Sequence, residues 1–224
     1  MGRQILFVLT SHSLLGDSGN RTGTWLEELA VPYYAFVDSG HTVTLASIVP
    51  GTAPLDPMSL EAPWITKQGQ RFLDDERAQA QLRATPGIAS VDAARFDALY
   101  LVGGAGAVWD FPANTALGNI IASVSRAGVI GAICHGVSGL LNPVAGSPFA
   151  KSRALTAITN AEDEMGGFDK LVPMLPETAL KAAGATFSAA EPFQAHVIQD
   201  DRLVTGQNPA SAGPLAARML QALQ

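Results

Sequence analysis

The stretch Val129-Ile130-Gly131-Ala132-Ile133-Cys134-His135-Gly136-Val137-Ser138-Gly139 restricts the folds open to this chain more than any other. Its first five residues are apolar or small without alternation, the pattern of a parallel strand buried on both faces. The only cysteine of the 224 residues follows at once, then His-Gly and a short apolar run able to start a helix. A residue at such a strand-to-helix corner projects from the top of a sheet into a cleft, as in a nucleophile elbow, with Gly131 and Gly136 flanking the thiol. The N–H groups and dipole of a following helix would favour a thiolate, so a lowered Cys134 pKa is expected. The plainer alternative is a buried structural thiol, the common fate of a free cysteine.

Strand and helix signals alternate around this corner. Ile5 to Thr10 reads as a central strand. Thr24-Trp25-Leu26-Glu27 fits a capping box opening a helix towards Asp38, with Ser39-Gly40 as its stop and a kink at Pro32. His41 to Ser47 is the next strand, Pro50 to Pro63 a surface loop, and Gln70 to Ala84 a solvent-facing helix. Asp97 to Val102 is a strand ending in Gly103-Gly104-Ala105-Gly106, Pro112 to Ala127 a helix, and Ala154 to Ile158 a short strand. Asn160 caps an acidic turn, Glu162-Asp163-Glu164, and Pro176 to Ala183 is a helix ended by Gly184. His196 to Ile198 and Arg202 to Thr205 read as a hairpin, and Asn208-Pro209-Ala210-Ser211 leads into a final helix through Leu220. This order calls for an α/β fold with a doubly wound, mostly parallel sheet, and one domain over residues 1–224.

Composition narrows the function. The net charge of −6 argues against nucleic-acid and anionic-membrane partners. A single cysteine leaves no disulfide framework and no CxxC motif, which fits a reducing compartment. The first apolar run is too short for a signal segment or membrane span, so a cytoplasmic protein is expected. The four histidines show no metal-ligand spacing.

Four groups could join Cys134. Gly104-Ala105-Gly106 fails the dinucleotide pattern, because Trp109 occupies its last glycine position, but its backbone could form an oxyanion nest at a strand end. On a helix Glu27 falls opposite the stripe of Trp25, Leu29, Tyr33 and Phe36 and reads as a solvated acid. Glu28 falls on the flank of that stripe. There it is either an ordinary boundary residue or a partly desolvated carboxyl that stays protonated and donates to a thiolate. Asp163 could orient His135, or simply suit a helix N-terminus. His12 follows the first strand and could line the cleft.

Taken together, the motifs resemble the ThiJ/PfpI superfamily, which is class I glutamine amidotransferase-like, and within it the chaperone and glyoxalase III-like branch. The matching pieces are Thr22-Gly23 to Glu28 with Pro32, Leu55-Asp56-Pro57-x-Ser59, and Gly103-Gly104-x-Gly106 with Trp109-Asp110-Phe111-Pro112. They continue with Ala132-Ile133-Cys134-His135-Gly136, Thr159-Asn160-Ala161-Glu162-Asp163 and Val204 to Ser211. The resemblance implies a flavodoxin-like sheet, a homodimer, and conversion of methylglyoxal or glyoxal to the hydroxy acid without cofactor. Deglycase, chaperone and peptidase activities have also been described in that branch.

Carried over by position, Cys134 is the nucleophile, His135 its acid/base partner, Asp163 the acid orienting the imidazole, and Glu28 the carboxyl beside the thiol. Gly104, Ala105 and Trp109 are expected to line the substrate site. Asp163 stands where the branch often has Glu, with Glu162 beside it as a possible substitute. Ala105 stands where the branch commonly has His, which implies a weak enzyme or a wider mouth for a bulkier carbonyl substrate. Other classes keep a place beside this one: a cysteine amidase or peptidase acting on an acyl substrate, an isonitrile hydratase, or a non-enzymatic stress holdase.

Overall fold

The computed structural model describes residues 2–224. The chain runs through β1 (Gln4–Leu9), α1 (Leu26–Asp38), β2 (Thr42–Ser47), α2 (Lys67–Asp74), α3 (Glu76–Arg83) and β3 (Ala98–Leu101). It continues with α4 (Ala107–Asp110), α5 (Thr115–Val124), β4 (Val129–Ile133), β5 (Pro143–Val144), β6 (Ser147–Pro148) and β7 (Ala154–Leu155). The last third holds α6 (Asn160–Gly166), α7 (Pro176–Ala182), β8 (Thr186–Phe187), β9 (Val197–Asp200), β10 (Leu203–Gly206) and α8 (Ala212–Ala222).

Six strands form the main sheet in the order β2-β1-β3-β4-β10-β9. Every pairing is parallel except that of β9 with β10. The apolar runs split by the two-residue strand period into two cores. Ile5, Phe7 and Leu9 face a layer built from α1, α2 and α8, through Leu29, Phe36, Phe72, Leu215 and Met219. Leu6 and Val8 face Leu117, Ile121, Val137 and Leu180 on the other side. Both faces are therefore covered, as the doubly wound α/β reading requires. Strand order reverses between β1 and β3, and in such sheets clefts open outside the carboxyl ends at that point.

Several local expectations are corrected. The Gln70 to Ala84 helix is two helices, because the Asp75 side chain accepts from the N–H groups of Arg77 and Ala78 and starts α3 afresh. The Pro112 to Ala127 helix begins only at Thr115, where Asn114 accepts from Leu117 N–H. The Ala154 to Ile158 strand shortens to β7, which pairs with β8 outside the main sheet.

The Thr24 capping box is absent. Trp25 is the N-cap residue, and Leu26 N–H instead donates to Ser59 Oγ at 3.0 Å. Ser59 belongs to a short 3₁₀ turn, Pro57–Leu60, started by Asp56. Pro32 lies inside α1 without ending it. Its missing N–H frees the carbonyl of Glu28, which accepts from Tyr100 Oη at 2.9 Å.

Candidate active site

Cys134 leaves the carboxyl end of β4 with φ of 54°, in the left-handed region that costs a residue with a Cβ energy. The chain then turns not into an α-helix but into a 3₁₀ segment, Cys134–Leu141. Gly136 is required at this corner, since a Cβ there would lie 2.7 Å from the carbonyl oxygens of Leu101 and Val102. The turn brings the Cys134 Sγ to 3.3 Å from His135 Nδ1. On the far side of the ring, His135 Nε2 lies 2.8 Å from Asp163 Oδ1. Accepting from Nε2–H, the Asp163 carboxylate leaves the Nδ1 lone pair facing the thiol.

Asp163 and Glu162 are separated by their helix. Glu162, not Asn160, completes the cap of α6: Thr159 is the N-cap residue, and its N–H and hydroxyl donate to Glu162 Oε2. Glu162 also accepts from Phe193 N–H, Gln207 Nε2 and Asn208 Nδ2, so it is fully engaged. Asp163, next along the same turn, points to the imidazole.

Glu28 is completely buried and sits against the thiol. Neither of its carboxyl oxygens has another hydrogen-bond partner of ordinary geometry among the described residues. Burial raises its pKa to about 8, outweighing the thiol contact that lowers it. Glu28 therefore holds its proton at neutral pH. Gly103 is the spacer here: a Cβ on it would collide with Glu28 Oε2 and lie 2.8 Å from Cys134 Cβ.

The expected low thiol pKa is not what this environment produces. Burial pushes the Cys134 thiol up, and negative charge on Asp163 and Glu162 acts in the same direction. A 3₁₀ turn supplies less aligned dipole than the α-helix that the expectation rested on. The resting group is a thiol, and the imidazole beside it is placed to accept its proton.

Cys134, His135 and Asp163 open into a cavity of about 340 Å³ with Gly104, Ala105, Trp25, Trp64, Phe168 and Phe193 in its walls. Gly104 has φ of +112°. Neither its N–H nor that of Ala105 donates to a protein acceptor among the described residues, which leaves them for a ligand oxygen. Glu27 also lines this cavity, and burial raises its pKa, so it is no solvated acid. Helix spacing sets Glu27 opposite the core stripe, but the cleft, not that stripe, decides its surroundings.

Trp109 does not reach the cavity. It stacks on His12 with ring centroids 4.4 Å apart, and His12 is likewise outside the lining. Asp56 and Phe193 line it without having been singled out as site residues. The signal available for Asp56 was its place in the Leu55-Asp56-Pro57 motif, whereas Phe193 lies in a loop with no motif at all. Among the described residues no group of three or more His, Cys, Asp or Glu side chains comes together as a metal site, and no helix is long and apolar enough to cross a membrane.

Comparison with known proteins follows the same lines. The chain is 28% identical to the glutathione-independent glyoxalase HSP31 of Saccharomyces cerevisiae, over 99% of this chain and 98% of that one. It is 25% identical to glyoxalase 3 of Candida albicans, again over 99% and 98% of the two chains. Among solved structures it is similar to the Rapid Encystment Protein 24 KDa of Francisella tularensis, with a TM-score of 0.94 and 34% identity over 99% of both chains. The fold of the Candida albicans glyoxalase III superposes with a TM-score of 0.87 at 24% identity, covering 99% of this chain and 98% of that one. The DJ-1/PfpI family model matches residues 22–222, and the chain belongs to the DJ-1/PfpI family.

Proposed function

We propose that this protein is a glutathione-independent glyoxalase of the glyoxalase III type, converting an α-oxoaldehyde and water to the 2-hydroxy acid. The observation that carries the reading is the line Asp163–His135–Cys134, with the protonated Glu28 behind the thiol, opening into one cavity. The glyoxalase names of the two yeast relatives support it. So does the charge of the cavity: Glu27, Asp56, Glu162 and Asp163 line it and no Lys or Arg does. The two carboxylates of a glutathione adduct would be repelled there, whereas a neutral oxoaldehyde would not.

The geometry suits the following sequence. His135 Nδ1 takes the thiol proton as Sγ adds to the aldehyde carbon, and the proton passes to the former aldehyde oxygen, giving a hemithioacetal. Glu28 donates towards sulfur, and the N–H groups of Gly104 and Ala105 are available to the oxyanion. His135 then removes the proton on the former aldehyde carbon and returns it to the neighbouring carbon. The hydroxyl proton moves to the second oxygen at the same stage. The aldehyde carbon is thereby oxidised by the electron pair that reduces the ketone carbon, with no outside oxidant. Water cleaves the resulting thioester, releasing the hydroxy acid and the thiol.

In this reading the protein works as a cytoplasmic homodimer, in keeping with its single free thiol. The test is incubation with methylglyoxal without glutathione or added metal, followed by a chiral assay for lactate. Lactate should form with the native protein and fall to background with Cys134→Ser. If native protein makes no more lactate than that variant, the reading fails and a cysteine hydrolase takes its place.

A further inference from the structure

The cavity is larger and more apolar than methylglyoxal needs. Five non-hydrogen atoms, at roughly 20–30 Å³ each judged from ~30 Å³ of liquid per water, fill less than half of about 340 Å³. Beyond Cys134, His135, Asn208 and the acids, the walls are largely apolar, with Trp25, Trp64, Phe168, Ile158 and Pro209 supplying much more hydrocarbon surface than a hydrated dicarbonyl needs. Ala105 adds to the space, because a longer side chain at this buried lining position would occupy it.

The mouth has the same character. Seven large apolar side chains are exposed among the described residues, and four of them, Met58, Trp64, Met165 and Phe193, belong to this cavity. Scattered exposed apolar groups need no explanation, but a cluster around a reactive thiol does.

Phe193 is also held there at a cost. Its φ is +62°, in the left-handed region, and its N–H donates to Glu162 Oε1 at 2.8 Å. Glu162 is the residue that caps the helix carrying Asp163. One buried carboxylate thus fixes both the aromatic rim and the position of the acid behind His135. A strained aromatic residue tied to the catalytic framework is a reason to look for an apolar ligand group beside the reacting carbonyl.

We infer that the preferred substrates are α-oxoaldehydes carrying a bulky apolar arm, aryl or medium-length alkyl, which lies against Trp25, Trp64, Phe168 and Phe193 while Cys134 attacks the aldehyde carbon. The inference rests on the oxoaldehyde reading above and specifies its substrate class. The chemistry is unchanged: the aldehyde carbon is oxidised, the carbon bearing the arm is reduced, and water supplies the oxygen of the hydroxy acid. Acidic lining excludes anionic arms, and the absence of a cation in the wall leaves nothing to pair with them.

The test compares kcat/KM for methylglyoxal, straight-chain 2-oxoaldehydes up to 2-oxooctanal, and phenylglyoxal, using the native protein. We expect phenylglyoxal and the longer alkyl substrates to exceed methylglyoxal at least tenfold, chiefly through KM, and Phe193→Ala to reduce that ratio at least fivefold. A ratio of one or less, with methylglyoxal turned over, overturns the inference while leaving the reaction intact. A second arm is independent of turnover: calorimetric titration of Cys134→Ser with acetophenone and with acetone. Acetophenone should bind at least tenfold more tightly, and Phe193→Ala in the same background should weaken it at least fivefold. If no oxoaldehyde is converted but acetophenone binds selectively, the reaction is wrong and the apolar site stands. If acetophenone is bound no better than acetone, the apolar site is wrong.

Discussion

At the scale of single residues, the site is governed by burial more than by charge pairing. Glu28 keeps its proton up to about pH 8, whereas a glutamate in the unfolded chain releases it near 4.5. Between these values the native protein holds the extra proton, so this residue's contribution to stability is complete below about 4.5 and is lost as pH rises through 8. Glu28→Gln cannot titrate. Its melting temperature should therefore fall less than that of the native protein from about pH 5 to about pH 9, as followed by thermal denaturation monitored by circular dichroism. Parallel profiles for the two proteins would show that the native Glu28 carboxyl is not perturbed. The same comparison bears on catalysis, because a protonated Glu28 is the group offered to sulfur, and lactate formation should decline above about pH 8.

At the scale of elements, α1 is positioned by two long-range hydrogen bonds in place of local ones. Its first turn is capped by Ser59, and the carbonyl released by Pro32 is satisfied by Tyr100 from the middle of β3. Both groups of the second bond are buried, so Tyr100→Phe leaves a carbonyl unpaired and should cost about 1–3 kcal/mol in urea denaturation. In a Pro32→Ala background the helix can supply its own donor, and the cost of the same substitution should shrink by at least half. Equal losses in the two backgrounds would show that Tyr100 acts only through packing. This coupling matters for the site because the carbonyl belongs to Glu28 itself.

At the scale of the molecule, the sheet sets the site at the carboxyl ends of its central strands, beside the point where strand order reverses. Gly104 follows β3, Cys134 follows β4, and Asn208 follows β10, so three adjacent carboxyl ends contribute to one cavity. The family relationship leads us to expect a dimer, and sedimentation velocity at micromolar concentration should give twice the chain mass. A single boundary at the mass of one chain would refute this.

What the amino-acid sequence determined alone is whatever depends on neighbours along the chain. Unbroken apolar runs made buried parallel strands, helical spacing set Glu28 apart from Glu27, and the Ile-Cys-His-Gly corner placed the single thiol at the end of a strand. Tertiary structure decided the rest. It gave His135 to Asp163, 28 positions away, because Glu162 was already committed to the cap and to Phe193, Gln207 and Asn208. It took Trp109 out of the cleft by stacking it on His12, and it brought Phe193 in. It also reversed the expected shift of the Cys134 thiol. Desolvation is a sum over atoms from every packed element, and no local pattern in the chain carries that sum.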